Sequence, residues 1–150
     1  MKRETDVMEL YEMHGLLNEL LEAERAGAMV ASTYVDELPV DGAIREELLR
    51  VQRDESRNCA VLLDLLRASG ADPSRRIGGF FEKALAIQGP RERVAFLNRG
   101  QAWVARRLAA ALPRIPDARV REALEAMHLS HLANIQACEA ILGQLGPRGA

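Results

Sequence analysis

Four long stretches of this chain repeat apolar residues at steps of three and four, separated by breaks containing Pro and Gly. That is the period of an α-helix with one buried face, so the pattern predicts an all-α fold. The first stretch, residues 5–38, carries Leu10, Met13, Leu17, Leu20/Leu21, Ala28, Ala31 and Val35, and Pro39 ends it. Asp41 is placed to cap the second, residues 42–69, whose stripe is Ile44, Leu48, Val51, Leu62 and Leu65/Leu66 and whose end is marked by Gly70. The third, residues 90–112, opens on Pro90 and points Val94, Leu97, Val104 and Leu108 inward. Pro113 and Pro116 then bracket a tight turn. Asp117 caps the fourth, which carries Val120, Leu124, Ile135 and Cys138 and runs to about residue 142.

Aromatic residues make up only 4% against 48% hydrophobic, so the interior must be built mainly from Leu, Ala, Val, Ile and Met, a mixture that favours helices over strands. A length of 150 residues fits one domain, 1–150, with its core between about 5 and 142.

The connections predict topology. Two are short and join antiparallel neighbours. Segment 70–89 spans up to ~65 Å, whereas the second helix is ~42 Å long. Such a segment can cross the whole bundle, giving a four-helix bundle, up-down-down-up, with one long crossover between the second and third long helices. Within the crossover, Asp72-Pro73 is expected to start a short helix, Gly78-Gly79 to interrupt it, and residues 80–87 to form another.

Polar residues interrupt every inward stripe. Glu24 lies on the first, Glu55 and Asn58 on the second, Gln101 on the third, and His128 and His131 on the fourth. A buried carboxylate without a partner costs several kcal/mol or changes its protonation. Their heights match. Glu24 and Glu55 lie 15 and 16 residues from Pro39; Gln101 and His128 lie 13.5 and His131 16.5 from the middle of the second turn. At ~1.5 Å per residue, all six fall into one central layer.

This layout resembles the ferritin-like superfamily of ferritins, bacterioferritins and rubrerythrins, over roughly residues 5–142. The resemblance implies a di-iron or di-manganese site built from Glu, Glu-x-x-His, Glu and Glu-x-x-His on successive helices. Here the matching positions read Glu24, Glu55-Ser56-Arg57-Asn58, Gln101 and His128-Leu129-Ser130-His131. Glu24, Glu55 and His131 agree with that pattern. Asn58 replaces a His, and Gln101 and His128 replace Glu, so the implied metal site is degenerate. A second register uses Glu125-Ala126-Met127-His128, a literal Glu-x-x-His beside the inward line. Two carboxylates balance one divalent ion rather than two, since a net charge in a low-dielectric core is expensive. The expected cofactor is therefore one divalent ion, Fe, Mn or Zn, held by Glu24, Glu55, His128 and His131. The alternative is a metal-free module whose central residues only hydrogen-bond to one another and which acts through oligomerisation or a partner.

Other features point less far. His14 and Tyr34 each lie about 15 Å from the central height and so outside it. Arg50, Arg53 and Arg57 read as a solvated helix face with Glu46 and Asp54 as partners. Cys59 and Cys138 form no CxxC motif and read as reduced thiols. Phe80, Phe81 and Trp103 serve either a dimer patch or packing of the crossover. A net charge of −2 argues against nucleic acid as a partner. With neither an apolar leader at the N-terminus nor a membrane-length apolar run, a cytoplasmic homodimer is expected, its small-molecule substrate unspecified.

Overall fold

The computed structural model describes residues 6–37 and 42–145. It is all-helical: α1 (Leu10–Glu37), α2 (Ala43–Ala68), α3 (Phe80–Leu85), α4 (Pro90–Ala111) and α5 (Ala118–Leu145), with a 3-10 turn at Leu112–Arg114 and no strand among the described residues. No helix among them is long and apolar enough to cross a membrane. Pro39 and Asp41, the expected stop and cap between the first two helices, lie outside the described residues.

The helix ends follow from local chemistry. Gly70 has φ of 80°. Its N–H donates to the Arg67 carbonyl while that of Ala71 donates to the Leu66 carbonyl, the paired bonds that close a helix C-terminus around a left-handed glycine. Asp117 Oδ1 accepts the Val120 N–H at 3.0 Å and caps α5. Pro90 occupies the first turn of α4, where its missing N–H goes unnoticed.

α1 packs on α2 and α4, and α5 packs on α2 and α4. Below the central height the core is leucine-rich: Leu17, Leu20, Leu21, Leu62, Leu66, Leu108 and Leu124 are buried together with Met13 and Met127. Each such side chain contributes roughly 1.5–3 kcal/mol by leaving water. Above it, Val30, Ala31, Tyr34, Leu48, Val51 and Leu97 form a second cluster, and Val94, Cys138 and Ile141 a third.

Segment 71–79 corrects one expectation: no helix starts at Asp72-Pro73. The backbone there is held in a non-helical course by α1. Asn18 donates to the Asp72 carbonyl and accepts from the Ser74 N–H, Ser74 Oγ donates to Glu22, and Arg25 donates to the Arg76 carbonyl. Those bonds satisfy groups that a helix would otherwise pair internally. The second half of the connection is helical as α3, shorter than expected. Tyr34 donates to the Ala84 carbonyl at 2.9 Å, and burial pushes its phenol up to about 12, so it stays a neutral donor. Arg93 lies over the Tyr34 ring, pairs with Glu37 at 2.9 Å and donates to the Ile87 carbonyl. Phe80 stacks on Phe96 with ring centroids 4.7 Å apart, so this crossover aromatic packs against the bundle.

Candidate metal centre

Between the apolar clusters each long helix contributes one or two polar side chains. Glu24 comes from α1, Glu55 and Asn58 from α2, Gln101 from α4 and His131 from α5, and all five are buried. Their positions repeat the apolar stripe, so they point inward for the same geometric reason as the leucines before and after them.

The five side chains form one hydrogen-bonded chain. Asn58 Nδ2 donates to Glu24 Oε1 at 2.9 Å, and His131 Nε2 lies 2.5 Å from the same oxygen. His131 Nδ1 lies 2.6 Å from Gln101 Oε1, and Gln101 Nε2 donates to Glu55 Oε1 at 2.8 Å. This order fixes the protons. Gln101 Oε1 only accepts, so His131 Nδ1 must carry a hydrogen. The contact between His131 Nε2 and Glu24 then holds one shared proton, as imidazolium with carboxylate or imidazole with carboxylic acid.

Burial raises the Glu55 carboxyl well above the usual range, and the neighbouring Glu24 charge adds to the effect, against the Gln101 hydrogen bond that favours ionisation. Glu24 Oε2 and Glu55 Oε2 are both buried and accept no hydrogen bond from a donor group, while the two carboxyls lie within hydrogen-bonding reach of each other. Ligand atoms of Glu24, Glu55 and His131 all lie within 4.8 Å of one another. Three helices thus bring two oxygen ligands and one nitrogen ligand to one point, with a buried oxygen on each carboxylate that no donor group uses. That donor set suits a divalent transition metal.

His128 is not in the layer. It is half-buried, and Met127 takes the inward position instead. From Leu124, a step of four followed by three and a step of three followed by four both reach His131. The apolar Met127 prevails because burying it costs no hydrogen bond. Glu125 is exposed, so the second register places no ligand inside. His14 stays half-buried near the start of α1, with an unpartnered Nε2.

Three further features of the site leave little trace in the apolar spacing. Gly27 faces Glu55: a Cβ there would sit 2.1 Å from Glu55 Oε2. Gly100 faces the crossover, where a Cβ would sit 2.7 Å from the Phe80 ring. Glycine inside a helix costs about 1 kcal/mol relative to alanine, which is the signal that marks both positions. The third feature is a polar seam between α2 and α5. Asp54 accepts from Ser130 and Asn134 at 3.2 and 2.9 Å, and buried Glu47 pairs with Arg50. Burial pushes Glu47 up to about 7. Burial likewise pushes the Cys59 thiol up to about 11 and Cys138 to about 12, so neither is an activated nucleophile.

No curated protein and no solved structure matches the chain. A family model does match residues 11–140, a span that includes every member of the central layer. The chain belongs to that family, the domain of unknown function DUF6306.

Proposed function

We propose that this is a ferritin-like bundle, up-down-down-up around its long crossover, with a reduced central site that binds one divalent metal ion (Fe, Mn or Zn) for redox or metal-handling chemistry. The observation that carries the reading is the pair of buried oxygens without a donor group, Glu24 Oε2 and Glu55 Oε2, beside His131. The topology is supported by which ends meet. Met8, just before α1, donates its N–H to the Arg114 carbonyl just after α4, while Glu37 at the end of α1 pairs with Arg93 near the start of α4. Ile44, Val94 and Ile141 share one apolar cluster.

Charge supports one ion rather than two. The Glu24 and Glu55 carboxylates offset the two charges of one divalent ion and His131 binds it as a neutral imidazole, so the loaded layer is neutral. Asn58 and Gln101 orient the ligands from outside. The test is titration of chelator-treated protein with Mn(II) or Zn(II) in weakly buffered solution. Proton release on ion binding, and weaker affinity at lower pH, are the expected results. Binding without proton release excludes this assignment.

A second reading has its own support: the hydrogen-bonded chain from Asn58 to Glu55 is continuous and links the side chains directly to one another. On that reading the protein is a non-enzymatic module acting through a partner. Either reading is compatible with a cytoplasmic homodimer, for which exposed Leu129 and Leu132 on α5 offer apolar surface. Sedimentation at micromolar concentration tests the dimer: a species of 16.6 kDa contradicts it.

A further inference from the structure

We propose that a pocket between α1 and α4 is a binding site for a small, uncharged, mainly apolar molecule carrying one hydroxyl, which Gln101 and Glu55 receive at the pocket's inner end. The pocket encloses about 420 Å³, within the usual range for small-molecule sites. Gly27 and Gly100 line it on the two helices, and the non-helical part of the crossover contributes Ile77. Leu97, Trp103 and Val104 supply apolar wall.

The charged side chains toward the mouth are already engaged. Glu19 pairs with Arg107, Glu22 accepts from Ser74, and Arg99 lies over the Phe96 ring. The open hydrogen-bonding positions are at the inner end. Gln101 is only 1% exposed; its Oε1 is taken by His131, and its Nε2 gives one of two hydrogens to Glu55. Glu55 comes from α2, across the bundle from the mouth. It is 4% exposed, and its Oε2 accepts from no donor group. One amide hydrogen and one carboxyl oxygen are therefore left for a guest. A hydroxyl, with one hydrogen and two lone pairs, suits both whichever proton state Glu55 holds. Its oxygen accepts from Gln101, and it either donates to a carboxylate or accepts from a carboxylic acid. An ion must give up its hydration at this depth, and no charge of the lining answers it in both states. A guest with no polar group leaves both atoms unsatisfied.

The pocket reading shares Glu55 with the proposed ion site but requires no ion and no particular charge on that carboxyl. The experiment therefore uses the chelator-treated full chain, so that either reading can fail alone. Trp103 is the single tryptophan and lines the pocket, which makes its fluorescence a built-in reporter. Titration with 2-phenylethanol, followed by Trp103 emission and by ligand-observed NMR, should saturate. Ethylbenzene, the same molecule without its oxygen, is the comparison. A purely apolar cavity would favour ethylbenzene by about a hundredfold or more, because the alcohol would shed water from its hydroxyl with nothing in return. Here the two should bind within about tenfold of each other, or the alcohol more tightly. Ala23→Phe fills the pocket from α1, and Ile77→Asp places a charge on its crossover wall. Each should weaken alcohol binding at least about tenfold with unchanged helical content. No saturable signal by either method up to about 10 mM overturns the proposal. So does an advantage of more than about tenfold for ethylbenzene, or alcohol binding that either folded variant leaves intact.

Discussion

The two flanks of the central layer are built in opposite ways. On the α2–α5 flank, Asp54 accepts from Ser130 and Asn134, and those bonds stitch the helices together beside His131. On the α1–α4 flank, Gly27 makes room for the Glu55 carboxyl and Gly100 for the Phe80 ring of the crossover, and a pocket is left beside them. Both flanks enclose the same buried carboxylates, so a need for stability alone does not explain the contrast. Sealing both flanks would avoid two helix-interior glycines, each costing about 1 kcal/mol. The asymmetry leaves Glu55 approachable from the α1–α4 side.

Substitutions on the two flanks should therefore differ in size and in what they disturb. Gly27→Ala should have the largest effect, a loss of about 2 kcal/mol in denaturant unfolding, because its Cβ overlaps a Glu55 carboxyl that Gln101 holds in place. It should also abolish metal uptake, and a neutral or stabilising outcome would remove the close approach from the account. On the sealed flank, Asp54→Ala should cost about 1.5 kcal/mol by stranding the buried Asn134 amide. Metal content should not change there, and a loss of metal would mean that the seam reaches the site.

Glu47 on the same flank gives a pH signature. Its carboxyl is raised to about 7, so its contribution is fully present below the unfolded carboxylate pKa and is lost as pH rises through about 7. Relative to Glu47→Gln, the natural protein should therefore lose on the order of 1 kcal/mol between roughly pH 5 and 8. Thermal melts of both across that window decide it, and parallel curves would contradict the burial. Gly100→Ala should be the smallest change, under about 1 kcal/mol, because the half-buried Phe80 ring can yield and alanine favours the helix. Its signature is a shift in Trp103 emission rather than in stability.

Much of this molecule was legible from residue spacing. The apolar steps located all four long helices, and polar residues on those steps singled out Glu24, Glu55, Asn58, Gln101 and His131 as neighbours. Spacing failed where two solutions share one period. His128 and Met127 both lie one turn from Leu124, and only the cost of burying an imidazole separates them. It failed again at Asp72-Pro73, where the chain after a cap-like dipeptide is held out of a helix by Asn18 and Glu22 on a helix more than fifty residues away in sequence. The pocket was legible only as an anomaly, two glycines inside helices. Which atoms fill the space beside them is set by tertiary packing, and spacing says nothing about that.

The most direct test of the central claim is elemental analysis of the full chain purified without added metal or chelator. The account predicts about one Fe, Mn or Zn per chain, retained by Asp54→Ala and lost in Glu55→Leu. Purified protein with no stoichiometric metal, and none acquired on incubation with these ions at neutral pH, would contradict it and leave the central layer as a hydrogen-bonded network alone.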